Sequence, residues 1–257
     1  MKIYCEQIGS TGPALVLLHG LAGNGAVWRP FLQVFQPYWN GKILVPDLRG
    51  HGRSPHAAHY GYGQHAADVA ELLAPDEPVC FVAHSMGAVV ALLLASGWYG
   101  LTVEAVLGFG TKLSWTNSEL EKAHSLAKAP VRWFDARSEA AERFLRFSGL
   151  TGLVSSDAEV VDAGIREQNG RWRLAADPWT FSSTVPPAEI FRTPKTKLTL
   201  ACGSNDAMVK VNELRAFDPQ AVELAGVGHN LHVEAPRGLA ELVLERFLRV
   251  SPAVGGR

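Results

Sequence analysis

Val79-Cys80-Phe81-Val82-Ala83-His84-Ser85-Met86-Gly87-Ala88 runs an apolar strand straight into a serine and an apolar helix straight out of it. A serine on so tight a strand-to-helix turn has its hydroxyl exposed at the strand's C-terminal end. The turn needs small residues two positions before and two positions after, because the backbones nearly touch there. Ala83 and Gly87 meet that need, although Ala83 departs from the glycine of G-x-S-x-G. A small-x-Ser-x-Gly string turns up by chance in about one chain in five of this length, so its placement between strand and helix carries the weight.

Around this stretch, short runs rich in Val, Ile and Leu alternate with helical patterns. That alternation predicts an α/β fold, a mainly parallel twisted sheet with helices on both faces. The predicted strands are Ala14–His19, Lys42–Pro46, Val79–Ala83, Val103–Phe109, Lys197–Ala201 and Ala221–Leu224, with Lys2–Ile8 as an antiparallel edge. Predicted helices are Ala26–Phe35, Tyr62–Leu73, Met86–Ser96 and Pro236–Val250. The alternation fails between Thr111 and Arg192, where amphipathic patterns over Ser118–Lys128, Ser138–Phe147 and Asp157–Gln168 predict an inserted helical cap without a good strand. Residues 1–110 and 193–257 are then the core and 111–192 the cap, and the Gly255-Gly256 tail is expected to be disordered.

Composition narrows the function classes. The 257 residues are 47% hydrophobic and 19% charged, with a formal net charge of −1, enough for one buried core. Lys and Arg are scattered along the sequence, so no basic face for nucleic acid is expected. The longest apolar stretch, Ala88 to Ala95, is too short to cross a bilayer, and the polar N-terminus lacks the apolar core of a signal peptide. Cys5, Cys80 and Cys202 show no metal spacing and are expected to be reduced in a cytoplasmic protein. His56 and His59 lie in a loop without carboxylates and no HExxH occurs, so no metal and no cofactor are expected.

Three further stretches supply partners for Ser85. Leu15-Val16-Leu17-Leu18-His19-Gly20-Leu21 leads into the loose loop Ala22-Gly23-Asn24-Gly25. Such a loop brings a backbone N–H beside the nucleophile, and acyl transfer needs two donors for the developing oxyanion. The amides of Leu21 and Met86 are assigned to it. Leu198 to Asp206 is a strand and turn ending in a carboxylate, and Val222 to His229 a strand and glycine-flanked turn ending in an imidazole. Both side chains emerge at the sheet edge where Ser85 emerges. His232 is the rival base, and Asp218, which precedes a strand, the rival carboxylate. His19 and His84 are read as supports of the site's loops, and Asp47 and His51 as structural.

With these motifs in the order Ser85, Asp206, His229, together with His19-Gly20, Asp47-Leu48-Arg49-Gly50-His51-Gly52 and Gly228-His229-Asn230, the chain resembles the α/β-hydrolase family, its serine esterase and lipase-like branch. The resemblance implies a cofactor-free hydrolase that cleaves carboxylic esters of small or medium substrates through an acyl-enzyme, as a monomer or homodimer. A carbon–carbon bond hydrolase or lyase with the same triad is the alternative, and a slow-turnover ligand receptor a second. Among the aromatics of the cap, Trp133, Phe134 and Trp115 are the expected pocket residues.

Overall fold

The structure, a computed structural model, describes residues 1–183, 187–194 and 196–248. The chain runs β1 (Cys5–Ile8), β2 (Ala14–Leu18), α1 (Arg29–Phe35), β3 (Lys42–Pro46), α2 (Tyr62–Ala70), β4 (Val79–His84), α3 (Met86–Leu94) and β5 (Val103–Phe109). An insertion follows with α4 (Asn117–Lys128), α5 (Arg137–Phe147), α6 (Glu159–Gly164), β6 (Ile165–Gln168) and β7 (Arg171–Leu174). Then come β8 (Lys197–Gly203), α7 (Val211–Leu214), β9 (Val222–Leu224), α8 (Leu231–Glu234) and α9 (Pro236–Val243). Residues 249–250 of the predicted last helix and the Gly255-Gly256 tail lie outside the described residues.

Seven strands form one sheet in the order β1-β3-β2-β4-β5-β8-β9, parallel except for β1, which pairs antiparallel with β3. The apolar runs become strands because both faces are covered: all five residues of β2 and all six of β4 are buried. One face packs against Phe31, Phe35 and Leu239 of α1 and α9, the other against α2 and the wholly buried α3. Each large aliphatic or aromatic side chain so enclosed contributes about 1.5–3 kcal/mol. The edge strand is shorter than predicted. It begins at Cys5, because the Tyr4 amide is taken by the Ser54 hydroxyl at 2.9 Å.

The insertion holds three helices near the predicted positions, and α4 starts with a capping box of Thr116 and Glu119. One expectation fails. Residues predicted as helix up to Gln168 leave helical structure at Gly164 and form β6, which pairs antiparallel with β7. Asn169 and Gly170 sit at φ 53° and 75°, the left-handed pair that a tight hairpin turn demands. That Asn-Gly dipeptide, flanked by two short runs, was the overlooked signal. The insertion is tied to the sheet domain by Arg29 to Glu159 at 2.7 Å, Asn24 Nδ2 to the Val160 carbonyl at 2.8 Å, and Arg166 to the Gly52 carbonyl at 2.7 Å. Among the described residues, no helix is long and apolar enough to cross a membrane.

Candidate active site

Ser85 is the single residue between β4 and α3, at φ 51° and ψ −117°. Non-glycine residues avoid that region, so the surrounding packing has to hold it there. Its amide donates to the Phe109 carbonyl at 2.8 Å, and its carbonyl accepts from Thr111 Oγ1 at 3.3 Å. A Cβ on Gly87 would meet the Leu18 and His19 carbonyl oxygens at 2.7 Å, which explains the glycine two residues on. Ala83 is fully buried and pairs with Gly108 of β5, so the methyl that departs from G-x-S-x-G stands beside a residue with no side chain. Likewise, the loop after β2 comes so near that a Cβ on Gly20 would lie 3.2 Å from that of Ser85.

Asp206 is 1% exposed and follows β8; its Oδ2 meets His229 Nδ1 at 2.8 Å. Its Oδ1 accepts from the Met208 amide at 2.8 Å. Burial pushes the carboxyl pKa up, but the His229 bond and the Met208 and Val209 amides outweigh it and hold Asp206 below the usual value. The pairing with a carboxylate favours the proton on Nδ1 and leaves Nε2 of His229 as an acceptor. The half-buried His229 ring lies edge-on to His84 at 4.6 Å, which ties it to the residue before Ser85. Among the described residues, no hydrogen bond joins the Ser85 hydroxyl to His229. Such bonds are often long in ligand-free sites.

Sequence reasoning missed what shapes the His229 turn. The Glu234 carboxylate accepts from the Gly228 amide at 2.7 Å and the Asn230 amide at 2.8 Å, and so clamps both flanks of the histidine. Asn230 Nδ2 also reaches the Gly149 carbonyl of the insertion at 3.0 Å. The only advance signal was a carboxylate five residues beyond the histidine.

The rivals have other employment. His232 is fully buried against Trp28 and His84, each 4.8 Å away ring to ring, and neither ring nitrogen has a partner among the described residues. Burial pushes its pKa down to about 3, with the nearby His229 and His19 adding to the effect. Asp218 accepts from the Leu200 and Gln220 amides at 2.8 and 2.9 Å. His19 accepts from the Leu48 amide at 2.9 Å, and Asp47 from the Gly25 and Arg53 amides at 2.6 and 2.7 Å, so both hold loops.

A cavity of about 60 Å³ opens at Ser85, bordered by Leu21, Met86, Val89, Trp115 and Ser183. Thus Leu21 and Met86, assigned to the oxyanion, and one predicted pocket residue, Trp115, meet around the serine. Trp133 and Phe134 do not. Phe134 exchanges backbone hydrogen bonds with Trp172 at 2.7 and 2.8 Å and borders a separate cavity. Trp133 lies beneath the Arg173 guanidinium, 5.7 Å from it. The extended bridge to Trp172 sets both directions, and it belongs to the hairpin that the sequence reading lacked.

The sequence model of the Alpha/beta hydrolase family matches residues 15–242. Lipase LipV of Mycobacterium tuberculosis is 30% identical over 232 residues, 85% of each chain. The 2-succinyl-6-hydroxy-2,4-cyclohexadiene-1-carboxylate synthase of Yersinia enterocolitica is 27% identical, covering 91% of this chain and 86% of its own. Among solved structures, the thioesterase domain from the curacin biosynthetic pathway superposes with a TM-score of 0.75 at 22% identity, covering 93% of this chain and 94% of that one.

Proposed function

The chain belongs to the alpha/beta hydrolase family, and from that premise we propose that it hydrolyses carboxylic esters of small or medium substrates through an acyl-enzyme on Ser85. The observation that carries the proposal is the 2.8 Å pair of His229 and buried Asp206 at the sheet edge where Ser85 occupies its strained turn. His229 Nε2 takes the Ser85 hydroxyl proton as Oγ attacks the ester carbonyl. Asp206 fixes the tautomer and stabilises the imidazolium. The carbonyl oxygen turns into the amides of Leu21 and Met86, the latter at the first turn of α3, where helix N–H groups lack intrahelical partners. The alcohol leaves with the proton from His229, and water then cleaves the acyl-enzyme by the same steps. Residues 111–192, which contribute Trp115 and Ser183 to the cavity wall, act as the cap over this site.

Ser85→Ala is expected to lower kcat on a p-nitrophenyl ester by about 10⁴ to 10⁶ with the fold intact, His229→Ala nearly as much, and His232→Ala only mildly. A fluorophosphonate labels wild type and not the serine variant. Retention of a tenth of the activity by Ser85→Ala ends the assignment. A second reading, a carbon–carbon bond hydrolase or lyase with the same triad, is kept because one full-length relative, from Yersinia enterocolitica, is named a synthase and not an esterase. Cleavage of a vinylogous diketone much faster than any ester would replace the first reading by the second.

A further inference from the structure

A second cavity, of about 80 Å³, lies between the insertion and Ala22 of the loop after β2. It and the Ser85 cavity are neighbours through the chain itself. Leu21 borders one and Ala22 the other, and Ser183 borders one and Phe181 the other. Leu126, Phe134, Phe147 and Phe181 make its walls mostly apolar. Into this space come three arginines, Arg132, Arg143 and Arg173. All three lie on aromatic faces, Arg132 at 5.0 Å from the Phe134 ring, Arg143 at 4.1 Å from that of Phe147 and Arg173 at 5.7 Å from that of Trp133. Arg173 Nε donates to the Leu174 carbonyl at 3.0 Å.

Among the described residues, no carboxylate pairs with any of the three, whereas Arg29, Arg49, Arg53, Arg137 and Arg171 are all paired. Asp177, whose charge acts on Arg173, is engaged by the Tyr60 hydroxyl at 2.7 Å and the Trp179 amide at 3.0 Å. The exposed Arg132 repels Arg143, and the partly buried Arg143 and Arg173 lose hydration against the apolar walls. Arg143 shows that cost: burial, then Arg132 and Arg146, push its pKa below the usual value. Burial does the same to Arg173, with Asp177 opposing and Arg166 adding to it. Unpaired cations so placed are stabilised by an anion, and guanidinium groups bind planar or tetrahedral oxyanions through paired N–H donors.

We propose that the arginine-lined cavity is an anion subsite, which selects esters whose acyl arm runs from Ser85 past Leu21 and Ala22 and ends in a negatively charged oxyanion. The apolar walls take the methylene chain, and Arg132, Arg143 and Arg173 take the terminal charge. This rests on the reading of Ser85 as an ester-cleaving nucleophile and adds the class of acyl group to it. A carboxylate and a phosphonate share the required chemistry.

The test uses the full-length protein and matched p-nitrophenyl esters. Monoesters of straight-chain diacids from succinate to suberate are compared with methyl-terminated esters of the same carbon number, and with phosphonate-terminated ones. The readout is the ratio of kcat/KM, anionic over neutral, which is internal to each preparation and survives partial misfolding of a variant. At low salt one length should show a ratio of about ten or more, the scale of a charge-assisted hydrogen bond. That ratio should fall to about one or below in Arg143→Gln/Arg173→Gln, because an apolar pocket without its cations rejects a charge. Preference for the carboxylate or the phosphonate series identifies the head group. A wild-type ratio at or below one at every length overturns the subsite while leaving ester hydrolysis standing. A ratio unchanged in the double variant does the same. If no ester is turned over, the nucleophile assignment has failed, and calorimetry with free octanoate against neutral octanamide still reads the cavity. Octanoate binding about tenfold tighter, lost in the double variant, supports the subsite. Equal binding of the two overturns it.

Discussion

Lowering the pH from about 7 to about 5 should destabilise this protein steeply, through histidines buried as neutral rings. His232 and His65 are both fully buried, and burial, the largest cause for each, holds their pKa values at about 3. In the unfolded chain the same rings take up protons near about 6.5. Between those values the unfolded state binds more protons, so stability falls as pH falls. Each ring costs about 2 kcal/mol by pH 5, so the pair costs about 4 kcal/mol, out of a total stability of about 5–15 kcal/mol. His19, His51 and His84 are pushed in the same direction by burial first of all and add to the loss. Urea unfolding followed by tryptophan fluorescence at several pH values gives the slope directly. His232→Gln removes one titrating ring, and should reduce the slope near pH 5.5 by about 1 kcal/mol per pH unit, whatever it does to the stability at neutral pH. Identical slopes in wild type and variant would mean that His232 is already protonated, or hydrated, inside the fold, and the reasoning would be refuted.

The same contacts set two further expectations. Acyl length should be limited by the wall at Trp115: kcat/KM on neutral p-nitrophenyl esters should rise from acetate to butyrate or hexanoate, by about 0.8 kcal/mol per buried methylene, and collapse at palmitate. Trp115→Ala should move the optimum to longer chains and Trp133→Ala should not, and an optimum at palmitate in wild type would mean an open site. Glu234→Ala should leave the Gly228 and Asn230 amides unpaired and loosen the His229 turn, lowering kcat by about 10-fold or more with KM little changed, and a kcat within twofold of wild type would show that the turn holds its shape without the clamp.

The elements legible in the sequence are those where the backbone itself constrains the residue type. At Gly87 two carbonyls leave no room for a Cβ, and at Gly203 the backbone of Val227 and Gly228 passes too near for one. Such positions tie a local string of letters to a local geometry, and so the turns that carry Ser85, Asp206 and His229 were legible before any coordinates. The parallel strands were legible for a related reason, since a strand buried on both faces has to be apolar along its whole length. The insertion obeys neither constraint. Its hairpin is short and half exposed, and Arg171-Trp172-Arg173-Leu174 alternates too briefly to outweigh the helical pattern before it, leaving Asn169-Gly170 as the sole sharp sign.

The same turn decides which aromatics of the insertion border the Ser85 cavity. Whether Trp133 or Phe134 faces a cavity depends on the bridge between Phe134 and Trp172, a contact between distant residues that no local pattern encodes. The arginines follow the same logic with a larger consequence. Along the chain, Arg132, Arg143 and Arg173 belong to a loop, a helix and a strand, and nothing in their spacing gathers them. Only the packing of the insertion around Phe134 and Phe147 brings three scattered cations to the border of one cavity. A basic cluster that is invisible in sequence order is therefore what the fold adds to the proposed triad, and with the proposed reaction it would bear on which esters are accepted.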